Sequence, residues 1–152
     1  MRPRHSRAAK DQPMTYDPAN IFARIVRGEL PCHKVYEDEA TLAFMDIMPQ
    51  ADCHTLIVPK DAGTGIVDTP VAALQATIAT TQKIAAAVKK ATGAPGVMVV
   101  QLNGAEAGQT VFHLHFHVIP RWEGLQLKFH ARGMEDPEVL KANAARVRAA
   151  LG

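Results

Sequence analysis

The chain predicts an α+β domain, on three observations. Capping and stop residues bracket three separate helical segments. Short β-type runs fall next to one another instead of alternating with helices, which favours antiparallel neighbours over a doubly wound sheet. The 152 residues are 47% hydrophobic and 21% charged, enough apolar material for one core.

Residues 1–16 read as a disordered basic arm ahead of a single domain over 17–152, and Met14 is a second candidate start. In the first helix Asp17 is placed to cap, Pro18 to occupy the first turn and Gly28 to close. Ile21, Phe22 and Ile25 make its apolar stripe. Short strands follow at 35–37, 41–46 and 54–59. Thr69-Pro70 opens a long helix that ends at Gly93, with Val71, Leu74, Ile78, Ala85 and Val88 at helical spacing as its buried face. VMVVQLN (97–103) reads as a buried strand, and VFHLHFHVIP (111–120) as another after the loop GAEAGQ. Asp136-Pro137-Glu138 starts a last helix over 137–151, with Leu140, Val147 and Leu151 on one face.

The net charge of +2 lies in the arm: residues 1–11 carry a surplus of three positive charges, leaving the remainder at −1. The body therefore lacks the basic footprint of a protein that binds long nucleic acids. No run approaches the roughly 18 apolar residues of a membrane span, and the N-terminus has no apolar core of a secretory signal. Cys32 and Cys53 are outside any CxxC pair and read as reduced thiols in a cytoplasmic protein.

His113, His115 and His117 alternate with Leu114, Phe116 and Val118. On a strand this puts three imidazoles on one side and the apolar residues toward the core. Two chemistries use such a row. One is metal ligation, but the outer pair would be separated by about 13 Å of strand at roughly 3.3 Å per residue. The other is covalent catalysis at phosphorus, with one neutral imidazole attacking while its neighbours and loop amides hold phosphate oxygens. The preceding loop offers Asn103, Gly104, Gly108, Gln109 and Thr110 for that purpose. By periodicity alone Phe22, Ile25 and Phe44 are ordinary core, Asp46 a strand end and His54 a half-buried structural histidine. Just past the histidines, Trp122 fits surface or dimer packing as well as a leaving-group pocket, and Arg121 fits a solvated side chain as well as a phosphate contact.

HLHFHVI (113–119) resembles the signature of the histidine triad (HIT) nucleotide-binding proteins, as do IFARIVRGELP (21–31), VYEDEATLAFMDIMPQ (35–50), HTLIVPK (54–60) and NGAEAGQTVFH (103–113). The resemblance covers about residues 17–121, and a histidine at 117 places it with the hydrolase branches. It implies an antiparallel meander of about five strands with three helices, paired into a two-fold dimer with a continuous sheet. It implies His115 as the nucleophile on the α-phosphate of a purine nucleotide conjugate. His117 then contacts the phosphate and assists proton transfer, His113 supports the site by hydrogen bonds, and His54 orients the triad from behind. Asn103, Gln109 and Thr110 are implied to touch phosphate and leaving group, with Gly108 in the same loop. Asp46 is implied to hold the ribose, and Ile21, Phe22, Ile25, Phe44 and Ile47 to enclose the base. Many bacterial relatives carry a CxxC pair around the first helix that binds structural zinc. Asn20 and Ala23 stand there in this chain, so neither a metal nor another cofactor is expected. The activity implied is that of a phosphoramidase or related nucleotidyl hydrolase. The alternatives are a dinucleoside polyphosphate hydrolase, a nucleotide-binding regulatory module and a triad metal enzyme.

Overall fold

The computed structural model describes residues 15–124 and 133–152. Its elements run α1 (Ile21–Val26), β1 (Lys34–Glu37), β2 (Thr41–Met45), β3 (Thr55–Pro59), α2 (Val71–Thr92), β4 (Gly96–Val100), β5 (Phe116–Arg121) and α3 (Pro137–Ala150). The five strands form one antiparallel sheet in the order β1-β2-β3-β5-β4, as the α+β reading requires. One face of the sheet packs on α2 and α3, burying Ala43, Ile57 and Val118 with Ile84, Val88 and Val147. The other packs on α1, where Phe22 meets Phe44, Leu56 and Val58.

Several expected boundaries shift for identifiable reasons. α1 is capped by Asn20, whose side chain accepts from the Ala23 N–H at 2.9 Å; Asp17 instead closes the turn before it, accepting from Ala19. Those two positions, Asn20 and Ala23, are thus joined by the cap itself. The run VMVVQLN (97–103), predicted as a buried strand, supplies the edge strand β4, with Val99 44% exposed. The expected buried face of α2 is rotated. Val71 and Ile78 face solvent, while Thr77, Thr80 and Thr81 are buried beside Ile84, Ala87 and Val88. Threonine tolerates those sites because its hydroxyl finds partners: Thr77 and Thr81 bond the carbonyls four residues back, and Thr80 meets Thr41 at 2.8 Å.

The strand expected over 111–120 begins only at Phe116. Its ladder with β3 stops after the Ile57–Phe116 pair because the Pro59 carbonyl is taken by the His113 ring and the Leu114 N–H bonds Gly63 instead. Only His117 is therefore a strand residue, and the triad is carried across a bend instead of along one straight row. The domain also reaches further back than 17, since Tyr16 bonds His113. Residues 1–14 of the expected arm, Met14 included, lie outside the described residues.

Candidate active site

A cross-strand row builds the floor of the site. Phe44 pairs with Leu56, Leu56 with His117, and His117 with Val100, so four neighbouring strands present side chains on one face. They line a cavity of about 530 Å³. α1 adds Ile21, Phe22 and Ile25 to one wall; Asp46, Ile47 and His54 come from the β2–β3 turn, and Gly108, Gln109 and Thr110 from the loop before β5. His115 and His117 line the cavity too. Ile21 and Ile47 are more than two-fifths exposed, at the mouth, whereas Phe22 and Phe44 are buried. Gln50, Leu102 and Val111 also line it, and no sequence signal singled them out, because each reads as an ordinary loop or strand-end residue.

Two of the expected site residues, His113 and Asn103, lie outside the lining. His113 is buried behind the cavity, with Nε2 2.9 Å from the Pro59 carbonyl and Nδ1 2.9 Å from the Tyr16 hydroxyl. Asn103 is outside the lining: its amide oxygen accepts from the Ile66 N–H and from Gln101, tying two loops together. Gly65 permits that approach, as a Cβ there would sit 2.6 Å from the Asn103 oxygen. The loop amides expected to face an anion are partly engaged within the loop. Gly104 N–H bonds the Gln109 side chain, Gly108 N–H bonds Ala105, and Gln109 N–H bonds Gly104. Gly104 and Gly108 take φ of +89° and +99°, which an L side chain rarely adopts. Arg121 and Trp122 are half-buried and outside the lining.

Main-chain partners set the proton on His54, His113 and His115, and the His54 ring sets that of His117. A carbonyl only accepts, so His113 carries its proton on Nε2 toward Pro59 and accepts from Tyr16 at Nδ1. His115 donates from Nδ1 to the His113 carbonyl at 2.7 Å, which leaves the lone pair on Nε2. The Gln50 N–H donates to His54 Nδ1 at 3.0 Å, so His54 holds its proton on Nε2, 3.0 Å from His117 Nδ1. His117 then accepts at Nδ1 and keeps an N–H at Nε2. Burial holds all four rings neutral: it pushes His54 down to about 3, His113 and His117 to about 4, and His115 in the same direction. Burial also raises the Asp46 carboxyl to about 6, against the lowering effect of its bond from the Met48 N–H. The 3.4 Å contact between Asp46 and His54 accordingly involves a neutral ring and is not an ion pair.

Asp46, His54 and His117 place three potential metal donors within 4.8 Å of one another. The His54 donor atom is the protonated one, and freeing it would strand the Gln50 N–H against a second proton at Nδ1. The set therefore fits a proton-holding cluster better than a resident cation.

A five-stranded antiparallel sheet with two neutral imidazoles over an apolar cleft is the architecture of a histidine triad domain. The HIT domain family model matches residues 27–124, and the chain belongs to that family. A HIT-like protein involved in cell-cycle regulation from Bartonella henselae superposes with TM-score 0.84 at 49% identity, over 90% of this chain and 99% of that one. A hypothetical histidine triad nucleotide-binding protein from Sulfolobus tokodaii gives TM-score 0.78 at 30% identity, over 86% of this chain and 90% of that one. Adenylylsulfatase HINT3 of Arabidopsis thaliana is 41% identical over 103 residues, 68% of this chain; the chain spans 52% of that relative's length. Among the described residues no helix is long and apolar enough to cross a membrane.

Proposed function

We propose that the protein is a nucleotidyl hydrolase acting on purine nucleotide conjugates, with His115 as its nucleophile. The observation that carries this reading is the His115 tautomer: Nδ1–H is tied to the His113 carbonyl, so a neutral ring in the cavity wall offers its Nε2 lone pair. His115 Nε2 bonds to the α-phosphorus as the bond to the leaving group breaks, and the departing amine takes a proton from water. A second water splits the nucleotidyl–His115 bond, its proton passing to the hydroxide left by the first, giving the mononucleotide and restoring the lone pair. His117 Nε2–H and Thr110 hold phosphoryl oxygens, Asp46 takes the ribose hydroxyls, and Phe22, Ile25 and Phe44 flank the base. Asn103, placed outside the lining, acts by holding the loop.

Among the described residues no lysine or arginine lines the cavity. One phosphoryl charge is within reach of neutral N–H donors, whereas a polyphosphate chain calls for cations along it. This favours phosphoramidates and mononucleotidyl esters over dinucleoside polyphosphates. Adenosine 5′-phosphoramidate is expected to turn over with excess EDTA present and to exceed a dinucleoside polyphosphate by at least about tenfold in kcat/KM. The reverse order would move the assignment to polyphosphates, and mononucleotide binding without turnover would move it to a binding module.

The same reading includes a two-fold dimer, and the cytoplasm as the compartment of the reaction. Edge strand β4 exposes Val99, and α2, packed beside it, exposes Val71 and Ile78, an apolar face suited to pairing. Sedimentation equilibrium should give the mass of two chains, and Ile78→Asp that of one; a monomeric wild type would remove the dimer.

A further inference from the structure

We propose that α3 is a positioning element for the histidine cluster and that Asn143 is the positioning residue through which it acts. The family match ends at residue 124, so α3 lies beyond the segment that carries the triad. It nevertheless reaches the 46–54 turn at three points. The Glu135 N–H, just before the helix, bonds the Ile47 carbonyl at 2.9 Å. Asn143 Nδ2 donates to the Asp52 carboxylate at 3.3 Å, and the Cys53 thiol donates to the Asn143 carbonyl at 3.9 Å. Arg146 anchors Asn143 in turn, one guanidinium nitrogen on its side-chain oxygen and the other on the Ala91 carbonyl of α2.

That turn needs holding. Cys53 has φ +67°, the one non-glycine residue among those described with positive φ, and it immediately precedes His54. Such a conformation persists only where the surroundings over-determine it. The surroundings here are α3: Cys53 is buried in the cluster that contains Leu140, Ala144 and Val147. The same turn delivers the Gln50 N–H that keeps the His54 proton on Nε2, and through His54 it sets which nitrogen His117 presents to the cavity. Asn143 is polar and 6% exposed on a helix face that periodicity assigns to the core, which is the place for a side chain whose partners matter more than its packing.

The inference rests on the proposed part of His117 in binding the phosphoryl group, so one arm of the test uses no substrate. The test compares Asn143→Ala with Val88→Ala, a cavity variant in the same core cluster, at matched loss of Tm. Asn143→Ala should lower kcat on adenosine 5′-phosphoramidate about tenfold with KM within about twofold. It should also redistribute the His54 proton between Nδ1 and Nε2 in 15N imidazole spectra. Val88→Ala should do neither. A folded Asn143→Ala with wild-type kcat and wild-type His54 spectrum overturns the proposal, as does a Val88→Ala that reproduces both changes. If Asn143→Ala does not fold, Asn143→Ser carries the same comparison. If the wild type has no phosphoramidase activity, the 15N arm alone decides, and only the functional reading falls.

Discussion

His115→Ala is expected to lower hydrolysis of adenosine 5′-phosphoramidate by about four orders of magnitude or more, the scale on which a covalent nucleophile is lost. Alanine leaves no lone pair within reach of phosphorus, and water in its place would lack the fixed approach that the Nδ1 bond to the His113 carbonyl gives the ring. Binding should change far less. The base lies against Phe22 and Phe44 in the proposed complex, and His115 contributes one ring edge to that wall, 4.9 Å from Phe22 between centroids. Mononucleotide affinity by calorimetry should stay within a few-fold of wild type. Turnover within tenfold of wild type in a folded His115→Ala would assign the nucleophile to another group.

The second large effect is on stability. An unfolded histidine titrates near 6.5. In the fold burial holds His54 near 3 and His113 and His117 near 4, with His115 lowered by the same cause. Across that window the folded protein binds fewer protons than the unfolded chain, so this stability is fully present above about pH 6.5 and is lost as pH falls toward 4. Asp46 acts in the opposite sense. Its carboxyl is held near 6 against 3.8 for the ordinary side chain, so its penalty is present above pH 6 and fades below it. One carboxyl is outweighed by the buried histidines, each worth about 1.4 kcal/mol per pH unit where it titrates in the unfolded state only. The net loss by pH 4.5 is on the order of a few kcal/mol. Thermal unfolding followed by circular dichroism should show Tm falling steeply from pH 6.5 to 4.5 and flat from 6.5 to 7.5. A Tm that holds constant down to pH 4.5 would mean that the rings protonate within the fold.

Much of the site could be read from residues close together in the chain. The alternation of His113, His115 and His117 pointed to the histidine cluster, and the loop glycines at 104 and 108 do take the positive φ that only their lack of a Cβ makes easy. What local pattern misjudged was exposure. Val71 and Ile78 fit a buried stripe on α2, yet Thr77, Thr80 and Thr81 occupy it, because a hydroxyl with a partner inside the fold is admissible where periodicity expects a methyl. The 111–120 run looked like one strand, yet its partner strand β3 ends at Pro59, whose carbonyl goes to the His113 ring.

By itself, then, the sequence determined what depends on near neighbours along the chain: the α+β class, the capped helices, the β-type runs and the alternating histidine row. Capping, periodicity and side-chain alternation act over a few residues and leave a direct trace there. The tertiary structure alone decided the protonation pattern that makes the histidines chemically distinct. That pattern depends on Gln50 meeting His54, His54 meeting His117 across 63 residues, and Tyr16 meeting His113 across 97. Burial, which keeps all four rings neutral, is likewise a property of the assembled sheet and helices, because desolvation depends on every group that excludes water from a site and not on the residues next to it in the chain.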